Sequence, residues 1–363
     1  MKRVAQVVMK DMNPQIVMKR IAKTLMSLAM FVILAMLMGV SLTSCIDEDS
    51  YDNTPRGNFE ALWRIIDQRY CFLGYKNSEY GLDWDEVHSR YSSQISESMT
   101  DRQLFEVLGN MLAELRDGHV NLYSRFDNAR YWSWNEDYPK NFSDTLERRY
   151  LGTDYRIASG LKYRKLSDNV GYIRCESFEN AIGDGNLDEV MAYLAPCNAL
   201  IVDVRNNGGG LMTMAEKLAA RFTNKELLVG YMQHKTGHGH SDFSSMREQR
   251  LKPSKGIRWQ KKTYVLTNRS VYSAANEFVK YMKCCPGVTT VGDATGGGAG
   301  MPFSSELPNG WSVRFSACPM FDKDKNSTEF GIKPDYAISL TDEDMISGID
   351  TIIEFARKLA NKR

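Results

Sequence analysis

The sequence predicts an α/β layer fold with a helical region at its front, and three observations carry that prediction. Of the 363 residues, 43% are hydrophobic and 25% charged, which is enough apolar material for one large or two modest domains. From Asn169 onward, apolar runs of strand length alternate with runs of helical period, the order expected of stacked α/β layers. Before that, residues 57–116 keep a helical period. The same proportions exclude a disordered chain, a collagen-like repeat and a multi-span membrane protein.

Taken in order, Phe59, Leu62, Trp63, Ile65 and Ile66 open the helical region. Leu104, Phe105, Leu108, Met111, Leu112 and Leu115 mark one apolar face of a later helix. That helix has a capping-box start, with Thr100 as N-cap and Gln103 three residues on, and is expected to stop at the turn pair Asp117-Gly118. Residues 120–165 are rich in aromatics, charge and Asn/Asp and carry no clear period. Strands follow at Val170–Ile173, Ala199–Val204, Lys262–Leu266 and Thr289–Val291, with helices at Leu187–Leu194, Met212–Phe222 and Ala274–Cys284 between them. Ala199–Val204 is nearly continuous apolar sequence, as for a strand buried on both faces.

Charge is near balance, 46 basic against 45 acidic side chains, but it is unevenly placed. Residues 1–44 hold six Lys/Arg and one acid, which leaves the remainder at net −4. Such a body lacks the basic footprint that phosphate backbones require, so nucleic acid is not an expected partner. Lys19, Arg20 and Lys23 precede 16 uncharged residues, Leu25–Val40. That run is short of the ~20 needed to span a bilayer and is laid out as a signal peptide. It ends in Leu42-Thr43-Ser44-Cys45, which resembles the lipobox of bacterial lipoproteins, with Cys45 the acylated residue. Residues 1–44 are accordingly expected to be a lipoprotein signal peptide and 45–56 a flexible acidic tether. That tether resembles a signal for export to the outer surface in some Gram-negative lineages. The expected location is the cell envelope, lipid-anchored at the outer membrane. Six further cysteines match no zinc spacing and permit disulfides without requiring them.

Four segments can carry chemistry. Asp203-Val204-Arg205-Asn206-Asn207-Gly208-Gly209-Gly210 lies between a buried strand and a helix. It is no Walker loop, lacking Gly-Lys-Ser/Thr, and no dinucleotide fingerprint, since Thr213 stands where the third Gly belongs. An oxyanion-type nest or a plain strand-to-helix turn remains. Ser273 sits at a second such junction, either as an N-cap or as a nucleophile at the positive end of a helix. His119 follows a helix end in Asp117-Gly118-His119. Glu329-Phe330-Gly331-Ile332-Lys333-Pro334-Asp335 is a Gly/Pro turn bearing acids.

In this order the four segments resemble peptidase family S41, which contains the carboxyl-terminal processing proteases and tricorn protease. The likeness is to the branch without a PDZ domain, related to the retinoid-binding protein repeats. It extends over about residues 57–345 and is strongest over 107–122, 199–211, 264–300 and 329–336. The resemblance implies a crotonase-like core of repeated ββα units. The expected division is a helical subdomain at 57–126, a connector at 127–168 and the α/β peptidase core at 169–363. It also implies Ser273 as nucleophile, His119 as general base and Glu329 as the acid that orients it, with Glu306 and Asp335 as alternatives. Gly208 or Gly209, with Ala274, would form the oxyanion hole.

One departure bears on mechanism. The processing proteases keep a Lys base about 25 residues past the Ser, and Gly298 stands at that position here, with no Lys between Lys283 and Lys323. A neutral imidazole can take the Ser proton instead. The expectation is therefore a Ser-His-Glu peptidase acting on peptides or unfolded protein, with no metal or cofactor in any step. The alternative is a non-catalytic module binding apolar ligands or peptides on the same fold. His234, His238 and His240 lack an obvious fourth metal ligand and are read as a substrate-side loop; His88 is read as solvated.

Overall fold

A computed structural model describes residues 51–362, and the chain enters it through a capped helix. The expected signal peptide, Cys45 and residues 45–50 of the tether lie outside the described residues. Thr54 accepts a hydrogen bond from the Gly57 N–H and Pro55 stands in the first turn, so α1 (Pro55–Arg69) starts where its unpaired amides are satisfied. It is followed by α2 (Leu73–Tyr80), α3 (Trp84–Ser92) and α4 (Asp101–Ala113). The Thr100–Gln103 capping box is present in full. α4 ends at Ala113, short of Asp117. There the backbone tightens into i→i+3 bonds from Glu114, Leu115 and Arg116, which draw Leu115 into the core, and Arg116 turns left-handed at φ +46°.

The remaining elements build two sheets. β1 (Asn121–Tyr123) and β2 (Asn128–Arg130) form a hairpin, followed by α5 (Ser133–Glu136) and α6 (Asp144–Leu151). Next come β3 (Arg156–Ala158), β4 (Leu161–Lys165), β5 (Val170–Cys175), α7 (Asp184–Leu194), β6 (Ala199–Asp203) and α8 (Met212–Ala219). Then follow β7 (Leu227–Met232), β8 (Arg247–Leu251), β9 (Thr263–Thr267), α9 (Ala274–Cys284) and β10 (Val288–Gly292). The chain closes with β11 (Gly300–Glu306), β12 (Ser312–Phe321), β13 (Tyr336–Ala337), α10 (Asp342–Ile346) and α11 (Thr351–Ala360).

One sheet has the order β13-β10-β9-β6-β5-β4-β3, parallel from β5 to β13 and antiparallel at β4 and β3. Its central strand β6 is wholly buried and sends alternate residues to opposite faces. Leu200 and Val202 pack with α7, α8 and α9, whereas Ala199 and Ile201 meet Ile352, Ile353 and Ala356 of α11. The second sheet is antiparallel, in the order β2-β1-β12-β7-β8, with β11 on the other edge of β12. Leu122, Val313 and Phe315 of this sheet share a core with Phe59, Leu62, Leu108 and Met111 of the helices. This mixed α/β arrangement, helical at its front, agrees with the expected fold class. The six cysteines among the described residues are free thiols. No helix among the described residues is long and apolar enough to cross a membrane.

Candidate active site

Ser273 stands between β9 and α9 at a turn held from three sides. Its N–H donates to the Gly297 carbonyl at 2.9 Å, the Tyr272 N–H to the Asn207 carbonyl at 3.1 Å, and the Gly296 N–H to the Val271 carbonyl at 2.8 Å. These bonds hold Ser273 at φ +56°, ψ −124°, the backbone of the first central residue of a type II′ turn, which glycine normally fills. Such a conformation costs about 1–3 kcal/mol and persists only where surrounding contacts impose it. The N-cap alternative fails, because the Ser273 side chain makes no capping hydrogen bond. Its hydroxyl lies instead 2.9 Å from His119 Nε2.

His119 reaches the hydroxyl from the turn between α4 and β1, 154 residues away in sequence. Its ring is buried, edge-on to Tyr272 with centroids 5.0 Å apart, and Tyr272 in turn stacks on Trp134 at 4.1 Å. Asp117 fixes the turn. It accepts the His119 backbone N–H at 2.7 Å, the Tyr70 hydroxyl at 2.9 Å, the Ser316 hydroxyl at 2.9 Å and the Tyr272 hydroxyl at 3.3 Å. Burial opposes ionisation of this carboxyl, but the Lys76 charge, the His119 side and these hydrogen bonds hold it below its ordinary pKa. Burial pushes the His119 imidazole down to about 4 against the Asp117 charge, with Arg314, Arg130 and Lys76 adding to the depression. The ring is therefore neutral at pH 7, the state a general base requires.

The glycine loop lies against this turn. A Cβ on Gly209 would come within 2.8 Å of Ser273 Cβ and 3.0 Å of the Ala274 nitrogen, so this approach demands glycine at φ +106°. The Gly209 N–H is already taken by Asn207 Oδ1 at 2.9 Å. That corrects the expectation for Gly209, which supplies clearance and not a free donor. Gly208 is exposed, and neither its N–H nor that of Ala274, at the first position of α9, has a protein acceptor among the described residues. The loop is anchored from below by the fully buried Arg205, which pairs with Asp203 at 2.7 Å and Asp350 at 2.9 Å.

Glu329 is buried close by but does not touch the imidazole. Its carboxylate meets Lys76 Nζ at 3.2 Å and accepts the Ala299 N–H at 3.0 Å, and His119 Nδ1 has no hydrogen-bond partner. The direct Glu329–His119 contact expected from the resemblance is thus not made, because a lysine from α2 claims the carboxylate. Burial and the neighbouring Asp117 charge raise the Glu329 pKa against the pull of Lys76. The alternatives lie elsewhere: Asp335 pairs with Lys283 at 2.5 Å, and Glu306 ends β11, exposed and opposite Ser312. At Gly298 a Cβ would sit 2.4 Å from the Tyr272 ring, so this position lacks room for the lysine of the processing proteases as well as the residue itself.

Sequence reasoning did not single out Asp117, Lys76, Tyr70, Tyr272, Trp134 or Ser316. Asp117 was within reach, being two residues before His119. Lys76 was not, because on α2 it reads as an ordinary solvated lysine. His240 pairs with Asp67 at 2.7 Å, and His88 is half-buried against Glu60 at 2.9 Å and the Phe59 and Trp63 rings, not solvated. His234 and His238 line a concavity of about 410 Å³ with Arg69, Phe303 and Cys318. Among the described residues no set of His, Cys, Asp and Glu is grouped to hold a metal ion.

A serine hydroxyl on a strained strand-to-helix turn, hydrogen-bonded to a buried neutral histidine, is the arrangement of a serine hydrolase. The model of peptidase family S41 matches residues 169–338, and that of the tricorn protease C1 domain matches residues 51–113. The chain belongs to peptidase family S41. It is similar to a candidate peptidase of known crystal structure from Parabacteroides merdae ATCC 43184, at 51% identity and a TM-score of 0.82, covering 86% of this chain and 98% of that one. Mature CPAF complexed with lactacystin shares the fold at a TM-score of 0.64 and 12% identity, over 85% and 97% of the two chains. A probable CtpA-like serine protease of Staphylococcus epidermidis (strain ATCC 12228) is 27% identical over 203 residues, 54% of this chain. The match spans 40% of that protein's length.

Proposed function

We propose that the protein hydrolyses peptide bonds in peptides or unfolded proteins, with Ser273 as nucleophile and His119 as general base. The observation that carries this reading is the 2.9 Å contact between Ser273 Oγ and His119 Nε2 on a strained turn. A module that only bound ligands would have no use for that strain. His119 Nε2 takes the hydroxyl proton as Oγ bonds to the substrate carbonyl carbon. The resulting oxyanion accepts hydrogen bonds from the Gly208 and Ala274 N–H groups, aided by the α9 dipole. The imidazolium then gives its proton to the leaving amine as the C–N bond breaks. Water, deprotonated by the same ring, releases the acyl group and restores Ser273.

Negative charge for the imidazolium comes from Asp117, which the Lys76 charge and its hydrogen-bond donors hold ionised. Glu329, kept back by Lys76, acts at one remove. We further propose that Cys45 is lipidated and that the enzyme works at the cell envelope, as the basic, apolar and Leu-Thr-Ser-Cys order of residues 19–45 suggests.

A fluorophosphonate probe tests the hydrolytic reading. It should label the wild-type protein at Ser273, as read by mass spectrometry of the modified peptide, and leave Ser273→Ala unlabelled. Wild-type protein that resists the probe, or label that persists in Ser273→Ala, would remove Ser273 from the mechanism.

A further inference from the structure

Two arginines flank the catalytic histidine and have no anion of their own. Arg130 closes β2 and Arg314 lies in β12, and both stand directly opposite Asn121 of β1, two residues past His119. Directly opposed residues in antiparallel strands share a face. Leu122, Ala129 and Val313 pack into the helical core, so Arg130, Asn121 and Arg314 occupy the face turned from it. With strands about 4.8 Å apart, the two Cα positions are ~10 Å apart, a span two guanidinium groups can close from either side.

Neither arginine enters an ion pair among the described residues, and Arg130 Nε is a buried donor with no acceptor. The Arg130 guanidinium lies 4.2 Å from the Trp132 ring centroid. Two residues further, Trp134 Nε1 is a second buried donor without an acceptor, on a ring stacked against Tyr272 beside Ser273. The charge of Asp117 reaches Arg130, but its carboxylate already accepts four hydrogen bonds and makes none with either arginine among the described residues. The charges of both arginines reach His119, and Trp134 packs on Tyr272 beside Ser273. An incoming anion with several acceptor lone pairs would relieve the two cations, and guanidinium forks match a carboxylate best.

We propose that Arg130 and Arg314 form a carboxylate-binding subsite beside the Ser273–His119 pair, taking an acidic side chain of the bound peptide. The substrate it names rests on the peptidase reading; its detection does not. Occupancy also has a consequence for the base. The Asp117 charge favours the protonated imidazole, and the Arg314, Arg130 and Lys76 charges oppose it. A carboxylate that neutralises the two arginines makes His119 more basic once substrate is in place.

The test uses the full-length Ser273→Ala protein and fluorescein-labelled decapeptides of Gly, Ala and Val, read by fluorescence anisotropy. One series carries a central Glu and the other a central Gln, each with a free or an amidated C-terminus. Each Glu peptide should bind at least about tenfold more tightly than the Gln peptide with the same terminus, with an advantage that shrinks as salt is raised. Arg130→Gln and Arg314→Gln should each bring that ratio toward one. Preference for Glu regardless of the terminus supports the subsite, and preference for the free terminus alone overturns it. Equal binding of all four peptides, binding of none, or a ratio that survives both substitutions overturns the subsite. If the Glu peptides bind selectively but wild-type protein never cuts them, the subsite stands and the peptidase reading falls. Cleavage indifferent to charge does the reverse.

Discussion

The two halves of the proposed catalytic pair are held in different ways. Ser273 is positioned by its own neighbourhood in the parallel sheet, where β9, α9 and the Gly296–Gly298 loop force its backbone into shape through main-chain bonds. His119 is positioned by side chains from far away: Tyr70 on the α1 side, Ser316 on β12 and Tyr272 beside the nucleophile converge on Asp117. The placing of Ser273 is thus a property of a turn, and that of His119 a property of tertiary assembly. Substitutions on the two sides should therefore separate activity from stability.

The sharpest break is Ser273→Ala, which should lower peptide hydrolysis about 10⁴-fold or more while leaving the melting temperature nearly unchanged. Circular dichroism melts beside a progress curve decide it, and a large drop in melting temperature would dissolve the contrast. On the histidine side, Lys76→Met strips the buried partner from Glu329 and should cost about 3 kcal/mol by urea unfolding. Because Lys76→Met leaves the Glu329 carboxylate buried without its cation, adding Glu329→Gln should recover part of that loss. A double variant no more stable than Lys76→Met would mean that the ion pair is not what the lysine supplies.

The next effect is in pH. His119 is depressed to about 4 in the folded protein against about 6.5 in an unfolded chain. Between those values the unfolded state binds the extra proton, so stability is full above pH 6.5 and falls with acid by up to roughly 1.4 kcal/mol per unit. His119→Gln should flatten that part of the stability–pH curve, whereas Ser273→Ala should keep it. The smallest effect is at the turn itself. Ser273→Gly relieves the backbone strain and should be about 1 kcal/mol more stable than Ser273→Ala.

The same contrast explains what could be read from the chain. The strands at Val170–Cys175, Ala199–Asp203 and Thr263–Thr267 are buried on both faces, so their apolar runs announce them. The antiparallel sheet was not legible. β1 and β2 have three residues each, and Arg247–Leu251 is almost entirely polar, because one face of each is open. Ser273, His119 and the glycine loop could be placed because each sits in a compact motif. Lys76 and Glu329 are 253 residues apart, and nothing local in either segment tells the acid to face a lysine and not the imidazole. The expected end of α4 failed for a related reason: the burial of Leu115 outweighed the turn preference of Asp117-Gly118.

Ser316 donates to Asp117 across 199 residues, from one of the last strands in the chain. During translation the nucleophile and the imidazole both leave the ribosome before this strand does. The turn that aims the imidazole lacks one of its four pins until then. A chain cut short before β12 would hold both proposed catalytic side chains and still lack one donor to the carboxylate that aims the imidazole.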